Sequence, residues 1–130
     1  MKSVFYLKRN PFPEIATKPG ITSHPAVRLG TYQNSFYHGS HMAAFDVVWI
    51  GERSYISKLE RRILEKYNWN IEKDGRGFSE WVGGVSVEDM EVAVQNIIDT
   101  HFYHITKVDK ALGPFTLNNI EILERLCNEE

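Results

Sequence analysis

The sequence predicts a mixed α+β domain, and three observations carry that expectation. Two segments, residues 3–18 and residues 43–50, are rich in aromatic and β-branched residues and bounded by proline, glycine or asparagine, as strands are. Two later stretches, residues 54–67 and 86–101, place apolar residues on one stripe at 100° per residue, as amphipathic helices do. With 130 residues, 42% hydrophobic and 25% charged, the chain is long enough for one domain with its own core.

Ser3-Val4-Phe5-Tyr6-Leu7-Lys8 is apolar on both parities, which suits a strand covered on both faces. Arg9-Asn10-Pro11-Phe12-Pro13-Glu14 breaks it, and residues 15–18 return as a second strand, so the hairpin brings Tyr6 near Lys18. After the glycine turn at Gly20, Ser23 or His24 with Pro25 opens a helix to about Gln33, since proline tolerates the first helical turn. Arg28 then lies in its first turn or two. Lys18 on a strand end, Arg28 on the next helix and the free N–H groups of its first turn can converge on a phosphate; the plain alternative is two solvated charges.

Residues 34–42 form a polar loop holding His38 and His41, whose gap could serve a metal. No cysteine or carboxylate pattern accompanies them, so surface histidines are the plainer reading. Ala43-Ala44-Phe45-Asp46-Val47-Val48-Trp49-Ile50 is the strongest strand. In the helix over residues 54–67, Ile56, Leu59, Ile63, Leu64 and Tyr67 make the apolar stripe, and Glu60 falls inside it. A carboxylate facing packed apolar surface must be neutralised, paired or bound to a cation, unless it snorkels to the edge.

Residues 68–78 read as a loop and residues 78–82 as a short strand ended by Gly83-Gly84. Ser86 with Asp89 gives a capping-box-like start to a helix on which Val87, Met90, Val94, Ile97 and His101 follow helical spacing, His101 at the core edge. Gly113-Pro114 marks a turn, and residues 117–126 read as strand then helix, or helix alone. The absence of repeats or a linker makes residues 101–130 an extension of the domain formed by residues 1–100.

No apolar run approaches the ~20 residues that span a bilayer, and Met1 to Asn10 lacks a signal peptide's apolar core, so a cytoplasmic setting without a membrane partner is expected. Cys127 stands alone, which removes support for a disulfide or thiolate-zinc scheme. Formal charge is −2, but residues 1–66 hold ten Lys or Arg against five acids, and residues 67–130 hold five against twelve. Such asymmetry permits a basic working face on an acidic body.

Taken together, Val4-Phe5-Tyr6, then Lys18-Pro19-Gly20-Ile21-Thr22, then His24-Pro25-Ala26-Val27-Arg28-Leu29 resembles the GIY-YIG nuclease superfamily, in particular its phage-associated branch with a Lys-Ile-Gly second motif. The resemblance continues through Ala44-Phe45-Asp46-Val47-Val48-Trp49, Leu59-Glu60-Arg61-Arg62-Ile63-Leu64 and Glu80-Trp81-Val82 with Ser86-Val87-Glu88-Asp89, and covers roughly residues 3–100. It implies a small three-stranded antiparallel sheet flanked by helices. It also implies a phage-encoded endonuclease that hydrolyses DNA phosphodiester bonds with one Mg2+ or Mn2+ ion, in the host cytoplasm.

By that resemblance Tyr6 helps activate the attacking water and Lys18 assists. Arg28 stabilises charge developing at phosphorus, Glu60 holds the metal, and a histidine is supplied by His41 or His38. Here the Gly-Ile-Tyr triplet stands as Val4-Phe5-Tyr6; a one-residue shift would put Phe5, which cannot act as a base, in the tyrosine position. Pro19 replaces the usual apolar residue and removes a strand N–H. A catalytically reduced relative that binds nucleic acid or protein is the alternative, and the sequence leaves open whether the chain acts as a monomer or a homodimer.

Overall fold

The computed structural model describes residues 1–10, 14–34, 43–68, 71–73, 80–102 and 104–129, with the backbone alone at residues 72, 73 and 80. In chain order the elements are β1 (Lys2–Arg9), β2 (Ala16–Thr22), α1 (Pro25–Gln33), β3 (Val47–Glu52), α2 (Arg53–Lys66), β4 (Ile71–Lys73), β5 (Glu80–Gly83), α3 (Val87–His101), β6 (Thr106–Lys107), a 3-10 turn (Lys110–Leu112) and α4 (Glu121–Asn128).

The class is α+β, but the sheet is larger than the three strands expected. β2, β1 and β3 form its centre, and β4, β5 and β6 extend it to six, in the order β4-β5-β2-β1-β3-β6, with every pairing antiparallel. Alternation along β1 divides the protein into two layers. Phe5 and Leu7 join Ile56, Leu59 and Ile63 of α2 and Met90, Val94 and Ile98 of α3 in one core. Val4 and Tyr6 face the other way, toward Leu29 and Tyr32 of α1 and Leu123 and Cys127 of α4.

α2 follows the apolar stripe, with one adjustment: Ile56, Leu59 and Ile63 are buried, while Glu60 and Leu64 are half-buried at its border. Ser86 caps α3 by accepting the Asp89 N–H at 3.1 Å. His101, expected at the core edge, is exposed at the end of α3. The strand expected over residues 43–50 begins only at Val47. Asp46 turns aside to accept the Arg9 N–H at 2.7 Å, and Phe45 makes a single bridge to Phe115.

Residues 101–130 are built into the body. β6 extends the sheet beside β3, and α4 lies against α1 and β1. Cys127 packs there, its thiol pushed up to about 11 by burial and the nearby Glu124 charge. Among the described residues no helix is long and apolar enough to cross a membrane.

Candidate functional site

The site starts from one register pair. Tyr6 of β1 stands opposite Gly20 of β2, and Lys8 opposite Lys18, so Tyr6 and Lys18 share a face one same-face step apart. A Cβ built on Gly20 would overlap the Tyr6 hydroxyl. Glycine is therefore required there by space, and β2 gives up a side chain to seat the phenol. Phe45 stacks on the Tyr6 ring with centroids 4.2 Å apart, which fixes the ring from the other side.

α1 brings two groups to this phenol. Arg28 and Tyr32 are four residues apart on one helical face, where side chains are neighbours. The Tyr6 and Tyr32 hydroxyls hydrogen-bond each other, and an Arg28 Nη1–H donates to Tyr6 Oη at 3.4 Å. Arg28 also bonds Tyr32. Tyr32 was not among the residues expected from sequence, yet it links the whole group; its position one turn after Arg28 was the available signal.

The electrostatics follow from burial. Tyr6 is fully buried, and its phenol is held well above its usual range, chiefly by desolvation and then by Tyr32, with Arg28 opposing. Burial likewise raises Tyr32, while its bonds from Tyr6 and Arg28 pull the other way. Burial works against the Arg28 charge, but the two phenols outweigh it and the guanidinium is held more firmly protonated.

Lys18 is nearly buried, and its ammonium lies 5.9 Å from the centre of the Tyr32 ring, a cation–π distance. Glu60 arrives from the opposite layer. Its charge is the last and smallest of the influences on Tyr32, adding to the upward push on that phenol. Glu60 also lines an open cleft of about 420 Å³ with Arg61, Leu64, Asn68 and Ile71. Tyr6, Arg28 and Lys18 thus gather around Tyr32, on which Glu60 acts only through its charge, from the other layer.

Pro19 does not disturb Lys18. The Asn10 N–H donates to the Ala16 carbonyl at 3.1 Å, which sets the alternation so that Ala16, Lys18, Gly20 and Thr22 bond β1 while residues 17, 19 and 21 face away. The missing N–H of Pro19 points to the outer side of β2. β5 pairs there with Ala16 and Thr17, and proline denies it the next donor.

One expectation is corrected. The first turn of α1 was read as offering N–H groups to a phosphate, but Glu124 of α4 occupies that end, its carboxylate accepting the Ala26 N–H at 2.6 Å. One N–H of this terminus is therefore already engaged by a carboxylate. His38 and His41 lie outside the described residues. Among the described residues no three His, Cys, Asp or Glu side chains gather as a metal cage. The chain matches no protein-family model, no curated protein and no solved structure.

Proposed function

We propose that the protein is a divalent-metal-dependent endonuclease that hydrolyses DNA phosphodiester bonds with a GIY-YIG-like site. The observation that carries this reading is the meeting of a guanidinium, an amine and two hydrogen-bonded phenols around Tyr6 and Tyr32, with a carboxylate acting on Tyr32 through its charge. Phosphodiester hydrolysis asks for this kind of set, since positioned cations and oriented donors do most of the work. A central β2-β1-β3 arrangement flanked by α1 and α2 supports the same reading.

The roles follow from position. Arg28 neutralises charge that develops on the phosphoryl oxygens, and Lys18 supplies a second cation on the same face. The Tyr6–Tyr32 pair orients the attacking water, whose oxygen bonds phosphorus as the bond to the leaving sugar oxygen breaks; the water loses a proton and the leaving oxygen gains one. Glu60 is the group that would hold a hard cation. A lone carboxylate suits Mg2+ or Mn2+, which keep most of their ligands as water and phosphate oxygens. When bound, such an ion supplies Lewis-acid neutralisation of the phosphate.

Nicking of supercoiled plasmid tests the reading. Wild type is expected to nick in Mg2+ or Mn2+ and to stop in chelator, and Glu60→Ala or Arg28→Ala is expected to lose about 100-fold or more. Cleavage unchanged by both substitutions would place the chemistry elsewhere. The full burial of the Tyr6 phenol, which opposes its ionisation, favours a second reading as a nucleic-acid-binding module without cleavage. DNA binding that depends on Arg28, with no nicking in either metal, would select it.

A further inference from the structure

α2 carries five cations, Arg53, Lys58, Arg61, Arg62 and Lys66, against two acids, Glu60 and Glu65. Ile56, Leu59 and Ile63 turn the apolar face of the helix into the core, and all five cations are exposed on the remaining sides. Glu60 is drawn back to the core border, so Glu65 is the single acid of the helix on that exposed surface. The basic face runs from the first residue of the helix to the last, about 20 Å.

Elsewhere several cations are paired. Glu88 of α3 takes Arg9 at 2.6 Å, Glu91 takes Lys107 and Lys110, and Glu121 of α4 takes Arg125 at 3.6 Å. Among the described residues none of the five α2 cations enters an ion pair, although Glu65 stands at helical-neighbour spacing from Arg61 and Arg62. Three of them rest on rings instead: Lys58 lies 5.7 Å from the centre of Tyr55, Arg62 5.8 Å from Phe102 and Lys66 5.7 Å from Tyr67. A ring steadies a cation without cancelling its charge. Arg53 stands in the first turn, the positive end of the helix, with no acid in that turn. α2 thus gathers positive charge where a helix shaped only for stability would offset it.

We propose that the exposed face of α2 is a docking surface for the sugar-phosphate backbone of duplex DNA; the choice of DNA rests on the nuclease reading above. The observations favour a regular polyanion over other anionic partners. A lipid surface is held by a helix that also inserts apolar side chains, but those of α2 lie toward the core and Tyr55 alone is exposed. A protein partner draws its affinity from a central apolar anchor, which this face lacks beyond Tyr55. Duplex DNA carries one charge per about 1.7 Å of its axis, and release of its counterions lets it bind by charge alone. Arg61 lines the cleft of Glu60, so the basic face begins beside the proposed metal ligand and leads away from it over the solvent side of the helix.

Fluorescence anisotropy with a short DNA duplex of arbitrary sequence, in chelator and across a series of KCl concentrations, tests this surface. Each phosphate contact contributes about 0.9 to the slope of log affinity against log salt. A triple variant, Lys58→Gln with Arg62→Gln and Lys66→Gln, should therefore bind more weakly, with a slope shallower than wild type by about two to three. Glu65→Lys, which adds a cation to the same face, should bind more tightly with a slope steeper by about one, a gain that a damaged fold cannot produce. Arg125→Gln on α4, in the other layer, should match wild type. A triple variant with wild-type slope and affinity overturns the surface, and plasmid nicking by wild type then leaves the nuclease reading standing. Wild type that binds DNA with these dependences yet nicks nothing in Mg2+ or Mn2+ keeps the surface and overturns the nuclease reading. Binding to phosphatidylserine vesicles in place of DNA, through the same three cations, overturns the DNA assignment. Failure to bind either probe overturns the docking surface.

Discussion

Substituting Gly20 by alanine places one methyl group in the most crowded contact of the site. The backbone at Gly20 lies in β2 without a positive φ, so any residue could adopt it. What forbids a side chain is Tyr6. A Cβ at Gly20 overlaps the hydroxyl and Cζ of that phenol and stands 3.0 Å from its Cε1. The ring cannot retreat, because Phe45 stacks on it at 4.2 Å and Tyr32 holds its hydroxyl. Overpacking of this kind costs about 1–3 kcal/mol, and breaking the Tyr6–Tyr32 bond adds about 0.5–1.5 kcal/mol. Lower chain entropy in the unfolded state returns about 0.4–1 kcal/mol, so Gly20→Ala should destabilise by about 1–3 kcal/mol, at roughly 3–5 °C per kcal/mol for a chain of this size.

Urea unfolding followed by circular dichroism reads that loss, and a second background isolates its cause. In a Tyr6→Leu protein the added methyl group meets no ring, so the cost of Gly20→Ala should vanish there, giving a coupling of the same 1–3 kcal/mol, roughly, between the two positions. Equal cost in both backgrounds, or no cost in the first, would refute the claim that Gly20 is glycine because of Tyr6.

Lys8→Met should remove a pH dependence of stability. Below pH 8 the cost of burying the Lys8 charge is fully present. Above it the folded protein has lost a proton that the unfolded chain keeps until about its ordinary 10.5, so wild-type stability rises relative to Lys8→Met, by up to roughly 3 kcal/mol, between the two values. A difference between the two proteins that is flat with pH in denaturant titrations would contradict this. Glu124→Ala should cost roughly 1 kcal/mol by uncapping the Ala26 N–H, with Glu124→Gln costing less because an acceptor remains; unfolding curves that coincide with wild type would remove α4 as the cap of α1. Cys127, with its thiol pushed up to about 11, should react with a disulfide reagent at pH 8 at least about tenfold more slowly than a free thiol, and normally once urea unfolds the chain.

What could be read in the sequence was local. The hairpin and the two long helices follow from punctuation and periodicity within about a dozen residues. β5 falls where a short strand is expected over residues 78–82, but β4 and β6, at three and two residues, are too short for an alternation to declare itself, so the sheet is larger than expected. Tyr32 was hidden because a tyrosine on a short helix is ordinary until its neighbours are known. Glu124 was hidden more thoroughly, since it caps a helix 98 positions earlier in the chain, and no window along the sequence contains both partners. Asp46 read as part of an apolar strand because its real partner, the Arg9 backbone, lies across the fold.

Pro19 and Gly20 look like defects in a strand, and each has its own physical consequence. An ordinary residue at 19 would supply an N–H on the side of β2 where β5 pairs at Ala16 and Thr17. An ordinary residue at 20 would fill the space of the Tyr6 phenol. The glycine thus serves the α1 layer, where the phenol it seats meets Arg28 and Tyr32.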